Sequence, residues 1–191
     1  MVVILNGQQH EFENGTNALD MLSKLDGDLK KAALAARVDG KVQGLAEPVN
    51  QNTDAPVQVE ILTFADDDGK KVLRHTASHV LAQAVKHIIP NAKLAIGPAI
   101  DNGFYYDFDV DENFTPEKEM NHIIKQNIRL ERFELPRAEA IAFCEEKGEP
   151  YKAELIRDLP EDATISFYRQ GDFTDLCAGP HLPSTGKIKA V

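Results

Sequence analysis

Two short stretches carry side chains able to bind a metal, move a proton or attack an ester. In KVLRHTASHVLAQAVKHIIP, residues 71–90, His75 and His79 stand four apart, which puts both on one face of a helix. In TDLCAGPHLP, residues 174–183, Cys177 and His181 have the same spacing. Together these four could close a zinc shell, form a nucleophile and its base, or line a pocket that activates water.

The element that must position the histidine pair reads as one long helix. Leu73, Ala77, Val80, Leu81, Ala84, Val85 and Ile88 share a broad apolar arc, which predicts the buried face. The histidines fall on the opposite side with Val72, Ala82 and Lys86, so core packing does not account for them. Cys177 follows the turn Gln170-Gly171-Asp172 at the end of a strand over 164–168.

Before the histidine helix, the chain reads as a small unit of its own. Val2–Leu5 and Gln9–Phe12 flank Asn6-Gly7, a strong hairpin signal. Thr16 is the expected N-cap of a short helix through Leu25. Strands over 35–38, 42–45 and 57–63 complete a β-grasp pattern, and the acidic run 66–68 before Gly69 reads as a domain boundary leading into a helix N-terminus. After the histidine helix, strands over 93–100 and 104–110 form a hairpin around Asp101-Asn102-Gly103, with Phe104, Tyr105, Tyr106 and Phe108 alternating between its faces. Helices follow over 115–131, with Thr115 as N-cap, and over 137–147, and a helical piece at 151–157 carries Lys152. The predicted class is α+β: a β-grasp domain at 1–63, then a larger α+β domain at 64–191.

With 191 residues, 42% of them hydrophobic, the chain can build two cores. It has no run of about 18 apolar residues, and its N-terminus has no basic lead-in, so a cytoplasmic protein with no membrane partner is expected. Two cysteines, neither in a C-x2-C pair, argue against a disulfide framework or zinc ribbon. Cys144 reads as a packed helix residue. A net charge of −10 argues against an extended basic surface for nucleic acid, so any RNA affinity needs a local patch or another part of a larger protein.

The order HTASH at 75–79, IGPAIDNGFYYDF at 96–108, EPYKAELI at 149–156 and DLCAGPHLP at 175–183 closely resembles the amino-terminal half of bacterial threonyl-tRNA synthetase. Residues 1–63 resemble its TGS domain and the remainder its editing domain. The resemblance implies hydrolysis of serine wrongly esterified to threonine tRNA, with threonine excluded by size. By that resemblance His75 positions or deprotonates water and Lys152 polarises or activates it. His79, Cys177 and His181 shape the pocket, Asp175 holds the substrate's α-ammonium, and Tyr106 contacts ribose or amino acid. The partner is the acceptor end of threonine tRNA carrying serine, and the full enzyme is expected to be a homodimer.

Position 178 is Ala, where many members carry Arg. No stretch resembles the aminoacylation core or the anticodon-binding domain, so threonine activation and tRNA charging are not expected of this chain. Val191 would be an excision point or the end of a free-standing editing unit. The editing site is expected to hold no metal and no cofactor, the zinc and ATP sites of the full enzyme lying in the core. Two alternatives remain: a zinc-dependent editing hydrolase like the related alanyl-tRNA editing proteins, and a non-catalytic module that binds tRNA or a partner. Archaeal D-aminoacyl-tRNA deacylases resemble the same fold, which adds D-amino acids to the candidate substrates.

Overall fold

The computed structural model describes residues 1–100, 102–111 and 113–189. Asp101 of the expected hairpin turn and the terminal Val191 lie outside the described residues. The architecture is α+β, in two compact units: Met1–Leu73 with Gly179–Pro183, and Arg74–Ala178 with Ser184–Val191.

In the first unit, β1 (Val2–Leu5), β2 (Gln8–Glu11), β3 (Ala35–Val38), β4 (Lys41–Gln43) and β5 (Val57–Leu62) form one sheet in the order β2-β1-β5-β3-β4. β1 and β5 are parallel and every other pair is antiparallel, the return-strand arrangement of a β-grasp. Asn6 and Gly7, both at positive φ, close the first hairpin. Ala18, Met21 and Leu22 of α1 (Ala18–Leu25) pack against Val3, Leu5, Val57, Val59 and Ile61, the alternating residues of the central strands.

The cap of α1 is Asn17, whose side chain accepts from Asp20 N at 2.9 Å. Thr16 instead donates its hydroxyl to Glu13 O and closes the preceding turn. A second short helix, α2 (Gly27–Ala32), was not expected. Asp26 caps it by accepting from Asp28 N and Leu29 N, a local signal hidden in a run of polar residues.

α3 spans Asp67–Ile88, so Asp67 and Asp68 of the acidic run fall in its first turn, as the helix N-terminus reading expects, and the chain passes from the first unit to the second along it. A Cβ at Gly69 would stand 2.1 Å from Thr63 O, which explains the glycine.

The second unit departs from its predicted outline at the aromatic hairpin. Two long strands become four pieces, β6 (Lys93–Leu94), β7 (Ala99–Ile100), β8 (Gly103–Phe104) and β9 (Phe108–Asp109), pairing β6 with β9 and β7 with β8. Pro98 offers no N–H to a ladder, and the strands separate around it. The helix expected to reach residue 131 ends early: α4 is Glu117–Gln126, terminated by Asn127 in the left-handed conformation. Pro116, not Thr115, holds its N-cap position. Leu130, read as a helix position, is buried in β10 (Leu130–Glu134).

β10, β11 (Ser166–Gln170) and β12 (Phe173–Leu176) form an antiparallel sheet. α5 (Arg137–Glu146) and α6 (Pro150–Asp158) contribute Ala140, Cys144, Ala153 and Ile156 to a core shared with Ile165 and Phe167. Among the described residues no helix is long and apolar enough to cross a membrane.

Candidate functional site

Four elements of the second unit converge on one polar cluster. α3 supplies His75 and His79, whose rings meet edge to face with centroids 5.3 Å apart. The helix is not two-faced at this level. Thr76 through Val80 and Ala82 through Val85 are all buried, and it is Ile88, assigned to the buried arc, that is exposed. His79 is therefore a core residue, 3% exposed, while His75 is half-buried.

β12 supplies the second pair. The strand's period of two buries Phe173 and Asp175, and the next residue of that parity is Cys177. Cys177 is held in line by Cys177 N donating to Ser166 O at 3.0 Å and by the Ser166 hydroxyl donating to Cys177 O at 2.7 Å. Its Sγ lies 3.3 Å from His75 Nε2.

α6 brings Lys152 inward on the face that also buries Ala153 and Ile156. Lys152 Nζ donates to Asp175 Oδ1 at 2.9 Å and to the Tyr106 hydroxyl at 3.0 Å. The Tyr106 hydroxyl donates in turn to Asp175 Oδ2 at 2.6 Å. Tyr106 comes from the interrupted hairpin and stacks on Phe108, with centroids 4.9 Å apart. Gly97 forms the wall beside it, since a Cβ there would fall 2.1 Å from the Tyr106 ring.

Charge is arranged by depth. Burial pushes the His79 imidazole down to about 3, even though Asp175, with Oδ2 3.7 Å from His79 Nε2, favours its protonation, so His79 is neutral near pH 7. Burial alone would raise the Asp175 carboxyl, but the charge of Lys152 and the hydrogen bonds of Tyr106 and Lys152 hold it below the usual carboxylate range. Burial and the facing Asp175 carboxylate raise the Tyr106 hydroxyl, which stays protonated. Lys152 and Asp175 thus form a buried pair, and the half-buried His75 and Cys177 stand in front of it.

His75, His79 and Cys177 place their ligand atoms within 4.8 Å of one another. Two imidazoles and a thiolate are a donor set suited to zinc, so a metal fits the residues present. His181 is buried in the Gly179–Pro183 segment, which groups with the first unit, and its carbonyl lies 3.3 Å from where a Cβ on Gly44 would stand.

Among the seven residues singled out from sequence, His75, His79, Tyr106, Lys152, Asp175 and Cys177 come together in the second unit. Sequence reasoning passed over Gly97, for which the Gly-Pro step after Ile96 was a usable signal.

The second unit thus sets a buried Lys–Asp–Tyr cluster beside a His–Cys pair on an α+β frame. Residues 165–191, which contain β11, β12 and the Cys177 segment, match the family described as the threonyl and alanyl tRNA synthetase second additional domain. The whole chain is similar to threonine-tRNA ligases: 60% identical to that of Clostridium kluyveri, 57% to that of Clostridium acetobutylicum and 54% to that of Clostridium tetani. Each match covers 100% of this chain and 30% of the relative. The chain therefore spans about 30% of the length of these relatives and resembles their amino-terminal region throughout.

Proposed function

We propose that the second unit hydrolyses the ester joining serine to the terminal ribose of threonine tRNA. It would act as the editing part of a longer synthetase, dimeric and cytoplasmic, whose aminoacylation core handles threonine. The observation that carries this reading is the Lys152–Asp175–Tyr106 cluster behind the half-exposed His75, in a chain that resembles threonine-tRNA ligases from end to end.

Serine and threonine differ by one methyl, and attraction to a methyl discriminates by only about 1–3 kcal/mol. A hydrolytic pocket too small for threonine uses that methyl as a reason for rejection. In the reaction, water attacks the ester carbonyl, its proton passes to His75, and the ribose hydroxyl leaves with a proton returned to it. Lys152 supplies the positive charge that polarises the carbonyl or the water.

Both oxygens of Asp175 are engaged, so binding the substrate's α-ammonium there would require one of those bonds to open. In this reading Asp175 holds Lys152 and Tyr106 in register. His79 and Cys177 shape the pocket, and Tyr106 contacts ribose or amino acid. No cofactor is required.

The closeness of the His75, His79 and Cys177 ligand atoms favours a second reading, a zinc-assisted hydrolase. When bound, zinc would supply an activated water. Elemental analysis of protein purified without chelator separates the two, since a stoichiometric metal whose removal stops turnover favours zinc. The first reading is tested by offering matched seryl and threonyl esters of threonine tRNA, of which only the seryl ester should be lost. If both esters persist while the acceptor end still binds, the chain is a binding module.

A further inference from the structure

We propose that Glu149 is a positioning residue for this site: with Lys86 as its counter-ion, it fixes the start of α6 against β6 and so sets where Lys152 meets Tyr106. The inference rests on the proposed hydrolase for its rate readout but concerns geometry that exists without substrate.

Glu149 immediately precedes α6 and is 8% exposed. Both carboxylate oxygens are used. Oε1 accepts from Lys86 Nζ at 2.6 Å, and Oε2 accepts from the backbone N–H of Leu94 at 2.9 Å. Lys86 also donates to Ala92 O at 2.8 Å. The Glu149 backbone N–H donates to Cys144 O at the end of α5, and its carbonyl accepts the first helical bond of α6, from Ala153 N. One residue therefore joins the last turn of α3, the strand β6, the end of α5 and the beginning of α6.

A negative side chain at a helix N-terminus is favourable in any case, and Ser, Thr or Asn would serve as well for that alone. What the longer Glu adds is reach to Leu94. That matters because Leu94 pairs with Phe108 in the short β6–β9 ladder, and Tyr106 sits two residues from Phe108. The ladder is continued by Ala95 N to Asp107 O and Asp107 N to Ile96 O, both made by Asp107, the residue next to Tyr106. Lys152, three residues after Glu149, is thereby referenced to the same strand pair that carries its partner hydroxyl. The 3.0 Å Lys152–Tyr106 hydrogen bond is the quantity this link controls.

The test compares Glu149→Ala, Glu149→Gln combined with Lys86→Met, and Met120→Ala, a buried α4 residue outside the site chosen as a stability control. A misplacement of about 1 Å can lower a rate about 100-fold. Glu149→Ala is expected to slow single-turnover loss of the serine ester by about 10- to 100-fold, with half-saturation changed by less than about threefold. The Gln/Met pair keeps a neutral acceptor for Leu94 N–H and leaves no unpaired charge, so it should recover most of the rate. Met120→Ala should lower Tm without this loss.

A second readout needs no turnover: the side-chain amine resonance of Lys152, assigned in 15N-lysine-labelled protein, should move in Glu149→Ala and stay in place in the Gln/Met pair and in Met120→Ala. A wild-type protein that leaves the serine ester intact overturns the hydrolase reading, and the resonance still decides the positioning role. A Glu149→Ala protein with unchanged rate or unchanged resonance overturns it, as does a rate loss that merely tracks Tm across all three variants.

Discussion

Lys152 Nζ and Asp175 Oδ1 are 2.9 Å apart with both side chains almost wholly removed from solvent, and Asp175 Oδ2 takes the Tyr106 hydroxyl. Removing one member of such a pair leaves a buried charge alone, at a cost of about 3–5 kcal/mol, whereas replacing both by apolar groups need cost little. Asp175→Leu and Lys152→Met should therefore each lower stability strongly and deacylation by at least about 100-fold. The Lys152→Met/Asp175→Leu protein should regain much of the stability and none of the activity. Denaturant titration and single-turnover assays check this, and a double variant as unstable as the sum of the singles would show the two residues to be uncoupled.

Gly97 tests the wall of the site. A Cβ there lands on the Tyr106 ring, so Gly97→Ala must shift the ring and with it the hydroxyl bonded to Lys152 and Asp175. We expect at least a tenfold loss of deacylation, on the scale of about 1–2 kcal/mol for a disturbed buried hydrogen bond. Gly103→Ala, where a Cβ meets nothing within 4 Å, should leave the rate unchanged. Equal rates for the two variants would mean that the ring position is unimportant.

Acid sensitivity has a sign that can be worked out. His79 titrates at about 3 in the folded chain and near 6.5 when unfolded, so between those values the unfolded chain binds more protons. Stability should rise with pH across that window, by up to about 1.4 kcal/mol per unit, and be lost as pH falls through it. Asp175, also depressed, adds a loss below the unfolded carboxylate range. His87 acts oppositely: burial disfavours its charge, yet hydrogen bonds to Glu119 and Asp172 raise it overall, so its contribution is full below 6.5 and fades as pH rises through its folded value. Stability–pH curves should flatten on the acid side in His79→Gln and on the alkaline side in His87→Gln.

The two thiols should differ in reactivity. Burial, with the negative charge of Asp175, pushes Cys144 up to about 11, while Cys177 is half-buried beside His75. Iodoacetamide should add once to native protein, at Cys177, and twice after unfolding. A native adduct mapped to Cys144 would contradict this.

The strands at 2–5 and 35–38 were legible in sequence because each ends at a turn residue, and α5 because Pro136 and Gly148 bracket it. The ends of α1 and α4 were not. Neighbouring cap candidates, Thr16 beside Asn17 and Thr115 beside Pro116, compete, and the tertiary frame decides between them. The site was legible through the types and spacing of His75, His79 and Cys177. Its depth was not, because an amphipathic pattern does not reveal that α3 is buried all round from Thr76 to Val80. Lys152 and Asp175 illustrate the limit: each alone reads as a surface charge, and only the fold places one against the other.

The most direct measurement is single-turnover deacylation of matched seryl and threonyl esters of threonine tRNA by the wild-type chain and by His75→Ala. The expected result is loss of the seryl ester alone, slowed at least about 100-fold in the variant, in keeping with the scale of general-base contributions. Equal hydrolysis of both esters, or a seryl rate indifferent to His75, would contradict a size-excluding site built around that histidine.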